Sequence, residues 1–458
     1  MAKYRILRIF IMLAICVIST SSCIQRHENY SAPPVDFPDQ FSLSGDRKAE
    51  TLWWLELKDP QLVTLIEHAF SDNFSLLIAR DRLAETRATA RRAGAILRPT
   101  VDTGVNGATR ENYQTETSTN TLLLELAASY EIDLWGRLAA TSDAAVLDTQ
   151  ATQADLQTAA TTIAAEVAQT WYRIVETRLQ IQLVQKQKET NDHVLELITA
   201  RFRAGQIGAA DVLQQRQLIE TNRAELAGLS RNLRLAQHQL SLLLGEPPGI
   251  YTPPESLLLP SLPPLPETGL PVDLITKRPD IRSSYFQLQA ADKRVASAIA
   301  DKLPRLSISA ELYTSGSRAS DLFNNWFTTL VANLAAPLID GGQRQAEVEK
   351  RQAIARQLLN HYGQAIIQAI GEVEDALIQE KTQIEIVKSL NIRLELAAQT
   401  VKHVTIRYRS GVEDYQRVLL ALLSHQELQR KIIESTLLLV NYRISLYRAL
   451  GGNIPVTE

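Results

Sequence analysis

Apolar residues recur with two different periods along this chain, and the first period is that of a strand. Apolar and polar residues alternate from Thr121 to Leu134, and the alternation returns from Arg305 to Leu312. A period of two is typical of strands with one polar and one apolar face. With partner segments at 99–110 and 326–339, the pattern predicts four strands, long enough to cross a bilayer as tilted barrel strands. Two soluble hairpins packed on helices are the alternative.

The second period is helical and follows each strand pair. Glycine is absent between Arg137 and Ala204, and alanine, leucine, glutamine and charged residues dominate this stretch. At ~1.5 Å per residue it would form a rod of about 100 Å. Branched apolar residues then recur every seven positions in a second predicted helix, as in a coiled coil: Val212, Ile219, Leu226, Leu233 and Leu240. The later half predicts a matching helix over 343–409 and a return helix ending at Leu450.

A single constant shift superimposes the two halves of the chain and indicates an internal duplication. It aligns residues 201–205 with 407–411 and 244–245 with 450–451. Nine of the 18 prolines lie in residues 247–271, too many for a helix. The predicted divisions are a repeat at 59–246, a proline-rich linker at 247–271, a repeat at 272–452 and a tail at 453–458. The predicted fold class is mixed α and β, mainly α, from two internal repeats.

The first residues have the layout of a secretory signal. Lys3, Arg5 and Arg8 precede an apolar run from Ile9 to Ile18, and small residues lead into Cys23. Small residues running into a cysteine resemble a bacterial lipoprotein signal. We therefore predict that residues 1–22 are removed, that Cys23 is acylated and that 23–58 form an anchor segment. Thr20 departs from the usual leucine, and the alternative is an ordinary signal cut nearby.

Composition removes several classes of function. The net charge of −3 gives no reason to expect a nucleic-acid partner, and no apolar run is long enough for a membrane-spanning helix. The two cysteines cannot form a thiolate metal site. The chain carries no phosphate-binding, serine-nucleophile or zinc motif, so neither enzymatic activity nor a cofactor or metal is expected. A lone histidine such as His425, on the seam of the return helix, is more often packed than ligating.

Four strands are too few to close a barrel, and lipid does not tolerate open sheet edges. If these strands cross a membrane, identical protomers in a ring must share them. Strands with a polar inner face then surround water, which implies passage of solute. Trp135 and Trp326, near strand ends, suit an interfacial belt, although packing against helices explains them almost as well.

Five ordered motifs carry a family resemblance. They are Arg201–Gly205, Arg407–Gly411, Tyr130–Arg137, Arg278–Arg282 and Arg448–Gly452. In these the chain resembles the outer membrane factor family of TolC/OprM-type efflux lipoproteins. The resemblance implies a homotrimer with a trimeric outer-membrane β-barrel, four strands per chain, continued by a long periplasmic α-helical barrel. It also implies outer-membrane lipid, a periplasmic adaptor (membrane fusion) protein and an inner-membrane efflux pump as partners.

The resemblance also suggests site residues. The two turns that would dock the adaptor contain Arg201, Arg203 and Gly205, and Arg407, Arg409 and Gly411. Family members often carry aspartates at the inner side of the second turn, where this chain has Arg417 and Leu420. Candidates for the periplasmic mouth are Asp211, Glu413, Asp414 and Arg417, with Asp211 and Arg417 facing each other across a seam. The alternatives are ordinary helix capping for the turns and solvated side chains for the charges.

The predicted function is therefore an outer-membrane channel that expels small toxic compounds in a tripartite efflux system. It would be lipid-anchored in the outer membrane and extend into the periplasm. A periplasmic coiled-coil scaffold lipoprotein explains the helices without explaining the strands. The exit duct of a type I protein secretion system is the other alternative. Sequence patterns encode neither the transported substrate nor the class of pump.

Overall fold

The structure, a computed structural model, describes residues 35–47, 52–249, 258–451 and 454. The predicted signal segment and Cys23 lie outside these residues. The helices are α1 (Pro60–Asp72), α2 (Phe74–Ala95), α3 (Arg137–Arg203), α4 (Ala209–Leu243), α5 (Leu274–Lys277), α6 (Pro279–Ala300), α7 (Gln343–Arg409) and α8 (Tyr415–Leu450). The strands are β1 (Thr100–Asn112), β2 (Thr117–Ile132), β3 (Arg305–Gly316) and β4 (Trp326–Ala335).

The duplication read from the sequence is visible in the order and length of the elements. Helices α3 and α7 each have 67 residues. The shift that superimposes the two halves of the sequence places both ends of α3 on those of α7. A shift shorter by one places both ends of α2 on those of α6. The mainly helical fold class with four strands in two repeats is confirmed.

Two predicted strands end earlier than the alternation suggested. Strand β2 ends at Ile132 because the Asp133 carboxylate accepts hydrogen bonds from the backbone N–H groups of Leu138 and Ala139, at 3.2 and 2.8 Å. Asp133 therefore caps α3 instead of continuing the strand. Strand β4 ends at Ala335, not at residue 339, because Pro337 has no backbone N–H to donate to a ladder.

The four strands form one antiparallel sheet in the order β1-β2-β3-β4. It belongs to a compact unit, here the strand unit, composed of Ala93–Ala144 and Leu288–Leu359. A small core of Ala291, Val295 and Ala355 joins α6 to α7 in this unit. The Trp135 indole N–H donates to the carbonyl of Pro304 at 2.7 Å and so ties the loop after β2 to the loop before β3.

The second compact unit, here the helical unit, contains the described parts of 35–92, 145–287 and 360–454. Its main core packs α1, α3, α4 and α8 around the fully buried Trp171 and Tyr172. Asp59 caps α1 through the backbone N–H groups of Gln61 and Leu62. The other oxygen of Asp59 accepts the Trp171 indole N–H at 2.8 Å, so one carboxylate fixes α1 on α3.

A buried ion pair fixes the linker within the helical unit. Arg443 of α8 pairs with Glu380 of α7, and both side chains are almost fully buried. The same guanidinium donates to the carbonyls of Pro263 and Pro264, at 2.8 and 3.2 Å. These bonds satisfy the donors that burial would otherwise leave unpaired.

The helices were compared with the length and hydropathy that a membrane span requires. Within the described ranges no single helix is both long and apolar enough to cross a bilayer, although α1 and α2, bent by 46° at their junction, pass the criterion of length and composition as a pair.

Candidate functional site

The sheet has two chemically different faces, and the strand register places them. Val101, Ala128, Ala310 and Leu330 stand opposite one another across the four strands. In the next row, on the other face, stand Asp102, Ala127, Glu311 and Thr329. The apolar face continues through Val105, Leu122, Leu124, Leu126, Ile308, Leu312 and Leu334.

The polar face carries hydroxyl, amide and carboxylate groups. Its members include Asn106, Thr121, Glu125, Ser307, Ser309 and Asn333, and its apolar exceptions include Leu123, Phe327 and Val331. An apolar face opposite a polar face suits a wall between lipid and water.

Strands β1 and β4 are the two edges of this sheet. Every residue of β4 is exposed in the single chain, and Leu330 is 76% exposed. An edge strand presents unpaired backbone N–H and C=O groups along one side. The sheet therefore has two long edges able to pair with another strand.

The two predicted turns have the same backbone structure. Gly205 and Gly411 adopt φ values of 70° and 73°, in the left-handed region that favours glycine. The N–H of Gln206 donates to the carbonyl of Arg201, and the N–H of Val412 donates to that of Arg407, each at 3.0 Å. Both turns are Schellman motifs that end α3 and α7.

The arginines of the turns have different roles. Arg201 lies over the ring of Tyr408, 4.6 Å from its centroid, and so links the end of α3 to the end of α7. Arg407 pairs with Glu413 at 3.0 Å. Arg203 and Arg409 are exposed.

The structure brings three of the four mouth candidates together. Glu413 is only 13% exposed and pairs with Arg407 and, at 3.2 Å, with Arg417. Asp414 caps α8 by accepting the backbone N–H of Arg417 at 3.0 Å. Within the chain, Arg417 thus pairs with Glu413, and the contact between Asp211 and Arg417 across a seam stays a prediction.

Behind the turns, the two helical hairpins pack against each other through an apolar cluster. Ile198, Val212 and Leu218 of the first hairpin meet Tyr408, Tyr415, Val418 and Leu419 of the second. Burial, with Tyr408 and Asp211 nearby, raises the pKa of Tyr415 above its ordinary value, so the phenol stays protonated. Its hydroxyl donates to the side-chain carbonyl of Gln215.

Further along the same seam runs a chain of buried amides. Asn191 of α3 and Gln426 of α8 exchange two side-chain hydrogen bonds, at 3.1 and 3.3 Å. The side-chain amide of Asn191 also donates to the side-chain carbonyl of Asn222 of α4 at 2.9 Å. The backbone carbonyl of Asn191 accepts from the side chain of Gln215 at 2.7 Å. These four side chains, all at most 3% exposed, are called the amide ladder below.

The ladder continues into charged groups. Gln187 of α3 donates to the carbonyl of Gln426 at 3.1 Å and accepts from Arg430 at 2.7 Å. Arg430 also pairs with Glu225 of α4 at 3.1 Å. Three helices are therefore joined at one level by bonds that require a single register.

His425 precedes Gln426 of the amide ladder on α8. Burial lowers the pKa of His425, which favours the neutral imidazole. Within the described part of the chain, no three His, Cys, Asp or Glu side chains are grouped to hold a metal ion.

Comparison with known proteins identifies the family. The family model described as outer membrane efflux protein matches residues 65–246 and again 270–452. The chain belongs to this family.

Relatives and solved structures match over nearly the whole chain. The pyoverdine export outer membrane protein OpmQ of Pseudomonas aeruginosa is 30% identical over 419 residues, covering 87% of each chain. The cation efflux system protein CusC of Escherichia coli K12 is 27% identical, covering 96% of this chain and 99% of CusC. The structure of the outer-membrane channel OprN, 25% identical, superimposes with a TM-score of 0.85 over 93% of this chain and 99% of OprN.

As a member of the outer membrane efflux protein family, the chain is a transport protein located in the outer membrane. It is the outer-membrane channel component of an efflux system, as predicted from the sequence. The coiled-coil scaffold alternative is not favoured, because the family consists of efflux channels. The two-faced sheet is the part of the chain suited to lipid on one side and solute on the other.

The amide ladder escaped the sequence reasoning, although the signal was present. Gln215 and Asn222 precede Leu229, Ala236 and Leu243 at seven-residue spacing, so they occupy core positions of the same heptad series. Polar residues at core positions of a coiled coil specify register and partner at a cost in stability. The heptad series was recognised from its apolar residues alone, so these two polar core positions were not predicted.

We expect Gln426→Leu to destabilise the helical unit, because it deprives the buried Asn191 amide of two hydrogen bonds. Loss of a buried hydrogen-bond partner typically costs about 1–3 kcal/mol. Thermal unfolding of the purified protein measures this. Glu427→Leu, at the exposed neighbouring position, is the control and should leave the transition nearly unchanged. Equal transitions for both variants would contradict a stabilising role for the ladder.

Proposed function

We propose that three copies of this chain close their sheets into one twelve-stranded barrel that conducts solute through the outer membrane. The observation that carries this proposal is the pair of open edges, β1 and β4, on a sheet with one apolar face. Lipid cannot satisfy the backbone groups of an edge, so each β4 must pair with β1 of a neighbour. Three sheets of four strands exceed the ~8 strands that the smallest barrels require.

Purified full-length protein should therefore form a stable three-chain assembly in detergent. Mass measurement by light scattering, corrected for bound detergent, tests this. A monodisperse monomer that retains its strand signal in lipid would contradict the shared barrel. In planar bilayers the trimer should conduct ions.

We further propose that the two turns contact a periplasmic adaptor protein, which joins the channel to an inner-membrane pump. Each chain has two turns with matching Schellman geometry, so a trimer would present six similar surfaces. Gln206 and Val412 are the residues that follow the two glycines. Relatives are named for pyoverdine export and for cation efflux, and these names differ too much to assign a substrate beyond small toxic compounds.

Gln206→Arg and Val412→Arg should each abolish efflux-dependent resistance, because a bulky charge at either turn blocks the contact with the adaptor. The readouts are the minimum inhibitory concentration in a strain lacking its own channel and co-purification of the adaptor. Gln114→Arg, the same exchange in the exposed turn between β1 and β2, should leave resistance intact. Full resistance in both turn variants would remove the turns from the docking site.

We propose that the charges beside the turns hold the periplasmic mouth closed. Asp211 and Arg417 occupy equivalent positions in the two repeats, and Glu413 holds the guanidinium of Arg417. An exposed ion pair contributes about 0–1 kcal/mol, so three copies together give at most about 3 kcal/mol. That is enough to bias an open and closed equilibrium.

Arg417→Asp should raise the open probability of single channels, because it removes the cation and places a carboxylate beside Glu413. Adding Asp211→Arg should restore the wild-type value if the contact with Asp211 matters. If the double variant behaves like the single one, Asp211 is not the partner of Arg417. Wild-type conductance of Arg417→Asp at low salt, where screening is weakest, would exclude a role for Arg417 in closing the mouth.

We propose finally that Cys23 carries lipid but that the barrel holds the protein in the membrane. One acyl chain alone gives only marginal membrane binding. Cys23→Ala, fused to a generic cleavable signal, should still fractionate with the outer membrane. Recovery of this variant as soluble periplasmic protein would show that the lipid is the anchor.

A further inference from the structure

We propose that a groove between the linker and helices α7 and α8 binds a small neutral aromatic compound. The groove encloses about 620 Å³ within the helical unit. Residues 260–265 of the linker form one wall, α7 and α8 form the others, and Leu43 also contributes. Pockets for small molecules measure about 300–1,000 Å³ and have mostly apolar walls with few polar groups. Because all these residues belong to one chain, the site does not depend on the proposed trimer.

The walls of the groove are aliphatic. Leu377 of α7 and Val440 of α8 are each 1% exposed, and Ile384 of α7, at the edge, is 50% exposed. Proline and leucine make up the linker wall apart from Ser261. Among the described residues that line the groove, none has an aromatic side chain. Apolar cavities of sufficient size take up aromatic molecules such as benzene.

The first repeat has an aromatic ring at the equivalent place. The shift that relates α3 to α7 places Trp171 on Leu377, and the shorter shift that relates α2 to α6 places Asp59 on Pro264. Trp171 is fully buried and donates its indole N–H to Asp59, where α1 begins. In the second repeat, residues 260–265 are not helical. The groove therefore corresponds to space that an indole ring and the start of a helix fill in the first repeat.

The charges in the walls favour a neutral occupant. Four charged side chains line the groove, and two are positive and two negative. Arg443 and Glu380 pair with each other, and the guanidinium also donates to carbonyls of the linker. Lys381 and Glu385 lie one helical turn apart on α7, and both are exposed. A charged ligand would meet a like charge as well as an opposite one, and burial would remove its hydration. A neutral ligand avoids both costs.

A compound in this groove would contact the linker on one side and the two long helices on the other. It would therefore add apolar contacts to the hydrogen bonds by which Arg443 already holds the linker. A molecule that binds only the folded protein stabilises it in proportion to its occupancy. Binding is thus expected to raise the temperature at which the helical unit unfolds.

Protection of a thiol at the edge of the groove tests the site. Full-length Ser261→Cys protein is treated with a maleimide while phenylnaphthylamine, a neutral aromatic probe, is titrated. Mass spectrometry of the peptide that contains residue 261 measures labelling, and equilibrium dialysis measures the free probe. We expect labelling to slow about tenfold at ten times the dissociation constant. Ser230→Cys, also exposed and equivalent to Thr436 of the groove wall, is the control and should react at an unchanged rate.

Filling the groove should abolish protection. Leu377→Trp, added to Ser261→Cys, restores the ring that the first repeat has at this position, and Val440→Phe fills the groove from α8. Ile378→Trp is the matched control, because Ile378 is 56% exposed and lies outside the groove walls. It should retain full protection. Thermal unfolding without probe verifies that each variant is folded. Protection that persists in a folded filling variant would overturn the site.

A charged probe tests the class of ligand. Anilinonaphthalenesulfonate has the same rings as phenylnaphthylamine and one negative charge, so it should protect residue 261 about tenfold less effectively. Equal or stronger protection by this probe would overturn the neutral class and indicate an anion held by Lys381. Unchanged labelling of Ser261→Cys with phenylnaphthylamine, or a residue 261 that no maleimide reaches without probe, would overturn the site itself.

Discussion

Backbone hydrogen bonding at the edges of the sheet is the constraint on which the rest of this molecule depends. Lipid solvates the apolar side chains of this four-stranded sheet. It cannot form hydrogen bonds with the unpaired N–H and C=O groups at the outer edges of β1 and β4. Neither edge strand is short, and β4 carries no charged residue, so the usual devices that protect an edge are absent from β4. In the proposed barrel, neighbouring chains pair these backbone groups and each chain supplies four strands.

The long helices require a device that fixes their alignment along one another. A helix of 67 residues makes many nearly equivalent heptad contacts, and apolar residues alone would tolerate sliding by one heptad. The amide ladder removes this freedom, because Asn191 bonds to both Asn222 and Gln426, and these bonds form in one alignment only. The ion pair of Arg443 and Glu380 fixes α7 and α8 at a second level. Together these bonds specify one alignment of the long helices.

Sequence patterns predicted most of the fold because its elements are long and strongly periodic. The bounds of α7 follow directly from the absence of proline and from the shift that relates the two repeats. The strand ends were less predictable. In the sequence, Asp133 continues the alternation of apolar and polar residues in β2. Only the structure reveals that its carboxylate caps α3. Among the mouth candidates, Asp414 proves to be a cap as well, whereas the pairing of Arg417 with Glu413 depends on a turn geometry that spacing does not specify.

The duplication also explains why similar halves do not form identical seams. Asn73 and Arg278 occupy equivalent positions and donate to equivalent carbonyls, those of Leu243 and Ala449. The arginine additionally binds Asp280 and Glu372. The differences run in both directions, since Arg443 replaces Gln237 of the first repeat, whereas Leu428 replaces the buried Asn222. With two equal repeats, the contacts within and between chains would be interchangeable, and hairpins of one chain would compete for both. Unequal chemistry at equal geometry makes the two hairpins of a chain distinguishable to any surface that contacts them.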